Sequence, residues 1–159
     1  MVVVPSTTST SAAPTAAQAE EELAARLRLS ATRLARRLRQ EADAGLTPSQ
    51  LSALAVIERE GPLTLGALAE HEKVAPPSIT KVVAKLESIG LVARAVDPGD
   101  RRFVRVTLTA AGRALLEDSR RRKTAWLTGR IRELGPGERE QLAAALDVLD
   151  VLVSGQQRP

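Results

Sequence analysis

The residues best placed to do chemistry fall in one short stretch, VDPGDRRFVRVTL, residues 96 to 108. Asp-Pro-Gly-Asp is strong turn chemistry of a kind that many hairpins carry. Arg101 and Arg102 follow Asp100 directly, so the tip of the expected hairpin carries two guanidinium groups beside a carboxylate. Such a tip does no covalent chemistry; it recognises negative charge. The minor groove of duplex DNA concentrates negative potential, and an arginine entering it gains without a bidentate base contact. A neighbouring carboxylate can hold that arginine extended. This assigns Asp100 the orienting part, Arg102 the groove probe and Arg101 a phosphate, with Arg94 and Arg105 flanking further phosphates. Arginine suits these planar contacts as lysine does not. The plain alternative is a solvated salt bridge on an ordinary hairpin.

A second polar set lies upstream in APPSITKVVAKLESIGLV, residues 75 to 92. Ile79, Val82, Val83 and Leu86 recur at helical spacing and predict a buried stripe, while Ser78, Thr80, Lys81 and Lys85 fall off it. Short polar and basic side chains near a helix N-terminus are what the major groove accepts. Pro76 and Pro77 open the helix and leave its early amides free, which suits a phosphate; Pro77 is therefore counted with the contact set. An ordinary solvated face is the competing reading of this helix in isolation.

Other polar features weigh less. The run RRRK at residues 120 to 123 reads as a solvated helix face paired with Glu117 and Asp118. The single histidine, His71, reads as a surface or capping residue, and Trp126 as buried at a dimer or pocket wall. With no cysteine, one histidine, no phosphate-cradling glycine loop and no suggestive acid pair, an enzyme finds no support, and neither cofactor nor metal is expected. Absence of cysteine also excludes disulfides and thiol sensing.

Among the elements that must hold these residues, the first stretch contributes nothing: residues 1 to 19 lack charge and sustained period and read as a disordered tail. From Glu20 the leucines at 23, 27, 34 and 38 keep helical spacing, with acids leading and arginines trailing as the helix dipole favours. LTPSQL carries a capping box, Thr47 with Gln50, and Pro48 at the first helical position, so a helix should run from Pro48 to Glu60. A short helix capped by Thr64 buries Leu65, Leu68 and Ala69; the 75–92 helix follows. In the hairpin Val92, Phe103, Val106 and Leu108 are expected in the core. Two long helices close the chain, from about Thr109 to Glu133 and from Pro136 to Val153. The last presents Leu142, Leu146, Leu149 and Val153 on an apolar arc wide for a monomer's terminal helix; a partner chain would bury it, the plain alternative being that it packs on its own domain.

The expected fold is thus mainly α with a small β-hairpin wing. Residues 47–108 form a winged helix-turn-helix lobe, residues 20–44 and 109–153 supply dimerisation helices, and 154–159 form a tail. The 159 residues suit one folding unit, and a formal charge of +4 leans towards a polyanionic partner. One Trp, one Phe and no Tyr are poor equipment for stacking unpaired bases, which favours duplex over single strand. Neither a signal peptide nor a long apolar run is present, so the chain reads as cytoplasmic with no membrane partner.

Taken in order, LTPSQLSALAVI, SITKVVAKLESIGLVAR and DPGDRRFVRVTLTAAG resemble the MarR (multiple antibiotic resistance regulator) family of winged helix-turn-helix repressors, over roughly Glu20 to Val153. The wing string is the most specific: Asp100-x-Arg102, an alternating strand, then Leu108-Thr109. The resemblance implies a homodimer whose first, fifth and sixth helices interlock, a palindromic duplex as partner, and repression released by a small anionic or phenolic ligand between dimer helices and lobe. The peroxide-sensing and zinc-sensing branches are set aside, since their cysteine and their multiple histidines are missing. The alternative from another class is a winged-helix module that binds an acidic protein without specific DNA binding.

Overall fold

The computed structural model describes residues 15–42, 45–97, 99–100 and 102–155. Contacts divide the chain into one unit up to Arg37 and another from Leu38 onward. The first unit is the greater part of helix α1, Ala16–Glu41, and none of the residues of α1 is buried. Its start corrects the expected tail boundary. Thr15 accepts from the Gln18 amide at 3.3 Å while Gln18 accepts from the Thr15 amide at 2.8 Å. This reciprocal cap opens the helix before the first charged residue, so Ala16 to Ala19 are helical.

The second unit continues with α2 (Pro48–Glu60), β1 (Leu63–Thr64), α3 (Leu65–Glu72), α4 (Pro76–Ser88), β2 (Val92–Val96), β3 (Val104–Leu108), α5 (Ala110–Arg132) and α6 (Pro136–Ser154). Each helix start follows local chemistry. Thr47 and Gln50 form the capping box ahead of Pro48, and the hydroxyls of Thr64 and Thr109 accept from the amides of Ala67 and Gly112. Strand β1 is an addition to the expected hairpin: two residues, too few to show a period, pair Leu63 with Val106 and make a three-stranded antiparallel sheet in the order β1-β3-β2.

The core of this lobe joins Leu54 and Ile57 of α2, Leu68 of α3, Ile79, Val83 and Leu86 of α4, Val92 and Val106 of the sheet, and Leu116 of α5. Burying each such side chain contributes about 1.5–3 kcal/mol before conformational entropy is subtracted. Leu108 packs against this core from its edge. Phe103 does not: it is 49% exposed, just ahead of β3 and past the last residue pair of the hairpin, Val96 with Val104. The expectation of a core phenylalanine is corrected, because the core ends before the ribbon does.

Two glycines set the junctions. Gly90, at φ 75°, reverses the chain after α4, where the Leu91 amide donates to Leu86 at 3.0 Å. At Gly112 a methyl group would lie 2.1 Å from the Leu91 carbonyl oxygen and 2.5 Å from Leu108 Cδ2, so α5 can start against the wing only without a side chain there. Thr109 closes the same junction: its hydroxyl donates to the Gly90 carbonyl at 2.7 Å, and its amide to that of Leu91 at 3.1 Å. Helix α6 contrasts with the lobe, for none of its residues is buried and Leu146, Leu152 and Val153 are 53%, 62% and 88% exposed.

Candidate nucleic-acid interface

Helix α4 is held by its buried stripe of Ile79, Val83 and Leu86, with Val82 half-buried at the edge. That packing leaves Pro77, Ser78, Thr80, Lys81 and Lys85 exposed. Ala75 caps the helix without a side-chain bond, but the expectation of free early amides is corrected: Pro76 and Pro77 carry no N–H, and the Ser78 amide already donates to the Ala75 carbonyl at 2.9 Å, so the first turn can meet an anion only through side chains. The Thr80 hydroxyl donates back to the Pro76 carbonyl at 2.9 Å, which leaves its oxygen able to accept. The expected major-groove set is therefore assembled on one accessible face.

In the wing the arginines divide. Arg102 is 84% exposed along its side chain, and Asp100 grips it from one side: Nε donates to Oδ1 at 3.0 Å and Nη2 to Oδ2 at 2.7 Å, while the Arg102 amide adds a third bond at 3.0 Å. The Arg102 guanidinium, and then its amide, hold the Asp100 carboxyl below the usual carboxylate range; the carboxylate in turn raises the arginine. Asp100 and Arg102, coupled in the sequence reading, are thus in direct contact. Arg101 and Pro98 lie outside the described residues.

Arg94 and Arg105 are placed otherwise. Arg94 Nε meets Glu87 of α4 at 3.2 Å, tying wing to helix. Arg105 pairs through Nε with Asp97 Oδ2 and donates from Nη1 to the Pro62 carbonyl at 3.1 Å, reaching the segment between α2 and β1. Both arginines expected beside phosphates are thus paired within their own lobe, Arg94 with Glu87 and Arg105 with Asp97 and the Pro62 carbonyl.

Asp97 is the residue that sequence reasoning missed. Only 8% exposed, it accepts from the amides of Gly99 at 2.7 Å and Asp100 at 3.2 Å as well as from Arg105. Arg105 first, then the Gly99 amide, hold its carboxyl below the ordinary range. The signal was available in Asp-Pro-Gly, where an aspartate commonly folds its own turn through an amide two residues on.

On α5, Arg121 and Arg122 pair with Asp118, as a solvated face would, but Arg120 reaches across to Glu58 of α2. His71 is exposed, and Trp126 is half-buried with the Arg130 guanidinium 5.7 Å from its ring. Among the described residues no cluster of His, Cys, Asp or Glu could hold a metal ion, and no helix is long and apolar enough to cross a membrane.

Comparison with known proteins identifies the family and the fold. Residues 46–104, which span the lobe up to the start of β3, match the model of the MarR family. An HTH-type transcriptional regulator of Mycobacterium tuberculosis is 41% identical over 135 residues, covering 84% of this chain and 94% of the relative. A solved Pseudomonas aeruginosa structure superposes with a TM-score of 0.78 at 36% identity, over 88% of this chain and 98% of that one. A MarR family protein from Bacillus stearothermophilus gives 0.74 at 27% identity, over 89% and 99%. With lobe, wing and flanking helices matched along nearly the whole length of these relatives, the chain belongs to the MarR family of helix-turn-helix transcriptional regulators.

Proposed function

We propose that this regulator binds a palindromic DNA duplex as a homodimer and represses by occupying it. In this reading α4 enters the major groove through Pro77, Ser78, Thr80, Lys81 and Lys85, and the wing lays Arg102 in the adjacent minor groove. Arg101 takes a phosphate, Asp100 orients Arg102, and Arg94 and Arg105 keep the wing at its angle to α4. The observation that carries the reading is the bidentate Asp100 grip on an arginine 84% exposed. A guanidinium so held has lost rotamer freedom in advance, which lowers the entropic cost of insertion. Selection of bound duplexes from a random pool tests it: an enriched palindrome with half-sites about 34 Å apart is expected, and a pool with no enriched sequence would refute it.

Dimerisation is supported by the leucines that α6 leaves outside, Leu142, Leu146 and Leu152 among them. A solution mass of one chain at micromolar concentration would contradict it. Release by a small anion is supported by a cleft of about 520 Å³ between α2, α3 and α5, where Arg39 and Lys123 stand near the first turn of α2. None of its lining residues is aromatic, so a carboxylate or phenolate would be held by Arg39 and Lys123, against the opposing charge of Glu72, which accepts from the Ser52 hydroxyl at 2.8 Å. Failure of every small aromatic or aliphatic acid to change operator affinity would remove this part alone. A DNA-bound regulator of this kind works in the cytoplasm.

A further inference from the structure

The tip of the wing carries an aromatic that the core does not use. Phe103 is the one phenylalanine of the chain, and 49% of it is exposed. Its backbone is fixed at both ends: the amide donates to the Asp100 carbonyl at 3.0 Å, and the carbonyl accepts from the Asp97 amide at 2.9 Å. The ring therefore stays on the tip. The Arg102 guanidinium lies 6.0 Å from the ring centroid, so Asp100 and Phe103 both bear on the same cation. A single exposed apolar side chain is unremarkable on most surfaces; this one is tied to the group proposed to enter the groove.

Physical chemistry gives the ring something to do there. In water a cation and an aromatic face attract weakly, and the attraction grows as water is removed. The minor groove removes it, and its walls are deoxyribose carbons against which an apolar side chain loses exposed area. Contact with sugar would thus bury apolar surface of Phe103 now in solvent and strengthen its hold on Arg102.

We propose that Phe103 is a DNA-contacting residue of the wing, its ring packing on the sugar wall of the minor groove beside the Arg102 guanidinium. This rests on the reading of the lobe as a duplex binder. It adds an apolar contact that neutralises no phosphate, so its signature differs from that of the basic residues.

The test compares Phe103→Ala, Phe103→Leu and Arg102→Ala on the duplex selected by the wild-type protein, across a salt series. Phe103→Ala is expected to lose about tenfold in affinity, the scale of an aromatic contact, with an unchanged salt slope and melting temperature. Leu should recover part of the loss. Phe103→Trp in a Trp126→Phe background should change its emission when the duplex is added, which reads contact directly even if the alanine variant folds poorly. Wild-type affinity in Phe103→Ala with Arg102→Ala impaired, or an indole emission in the Phe103→Trp variant that the duplex leaves unchanged, would overturn the aromatic contact and leave the duplex reading standing. A wild-type protein that selects no duplex would overturn both.

Discussion

The base of the wing and its tip share a hairpin of a few residues and an arginine-rich composition, yet they are built for different ends. At the base, Arg94 and Arg105 each have a carboxylate from their own lobe, Glu87 and Asp97, and Arg105 also binds a backbone carbonyl. At the tip, Arg102 has a partner only two residues away and remains 84% exposed. The base spends its charge on holding the sheet to α4 and to the segment between α2 and β1; the tip leaves its guanidinium exposed. The lesson is that an arginine's availability depends on which carboxylate reaches it, and a list of basic residues does not contain that information.

The comparison can be broken most severely at the junction beneath it. Gly112→Ala would set a methyl group 2.1 Å from a backbone oxygen, which must shift the start of α5 away from the wing. A loss of about 3 kcal/mol is expected, read as a lower melting temperature and a lower denaturant midpoint. Retained stability would mean that the wing and α5 are less tightly joined than described.

At the tip the expected effect is on binding instead. Arg102→Ala should weaken operator affinity by about tenfold or more while the melting temperature stays put, because its side chain buries almost nothing in the lobe. Lys85→Ala, on the exposed face of α4, should do less to affinity at any one salt concentration. It should reduce the slope of log K against log salt by about one, the share of one phosphate. An unchanged slope would move Lys85 off the interface.

The smallest effect separates base from tip by pH. Asp97 has its carboxyl depressed in the folded state by Arg105 and the Gly99 amide, so its contribution to stability is present above the ordinary aspartate range, about pH 4, and is lost as pH falls through it. Asp97→Asn should lower the melting temperature at neutral pH and flatten its fall on acidification below about pH 4. Equal slopes for variant and wild type would contradict the brace.

Most of the frame was legible because local signals agreed with one another. Thr47 with Gln50, Thr64, Thr109 and the paired prolines marked helix starts, and Ile79, Val83 and Leu86 marked the face of α4 that packs. The Asp100–Arg102 pair could be read from two positions of sequence because it closes within two residues. What could not be read was whatever depends on long-range pairing. Strand β1 exists only because Leu63 meets Val106, and Arg105 is withdrawn from its expected place by Asp97 and Pro62. Phe103 looked like core from its alternation with Val106, but alternation says nothing of how far the core extends beneath a ribbon. Thr15 and Gln18 were a missed local signal, hidden in a stretch whose composition suggested a tail.

Operator affinity and melting temperature measured together for Arg102→Ala and Arg105→Ala test the central claim most directly. The division of the wing predicts that Arg102→Ala melts like the wild type and binds at least about tenfold more weakly. Arg105→Ala should melt lower and keep the wild-type salt slope. An Arg102→Ala protein with wild-type affinity, or an Arg105→Ala protein of wild-type stability whose salt slope has fallen, would contradict it.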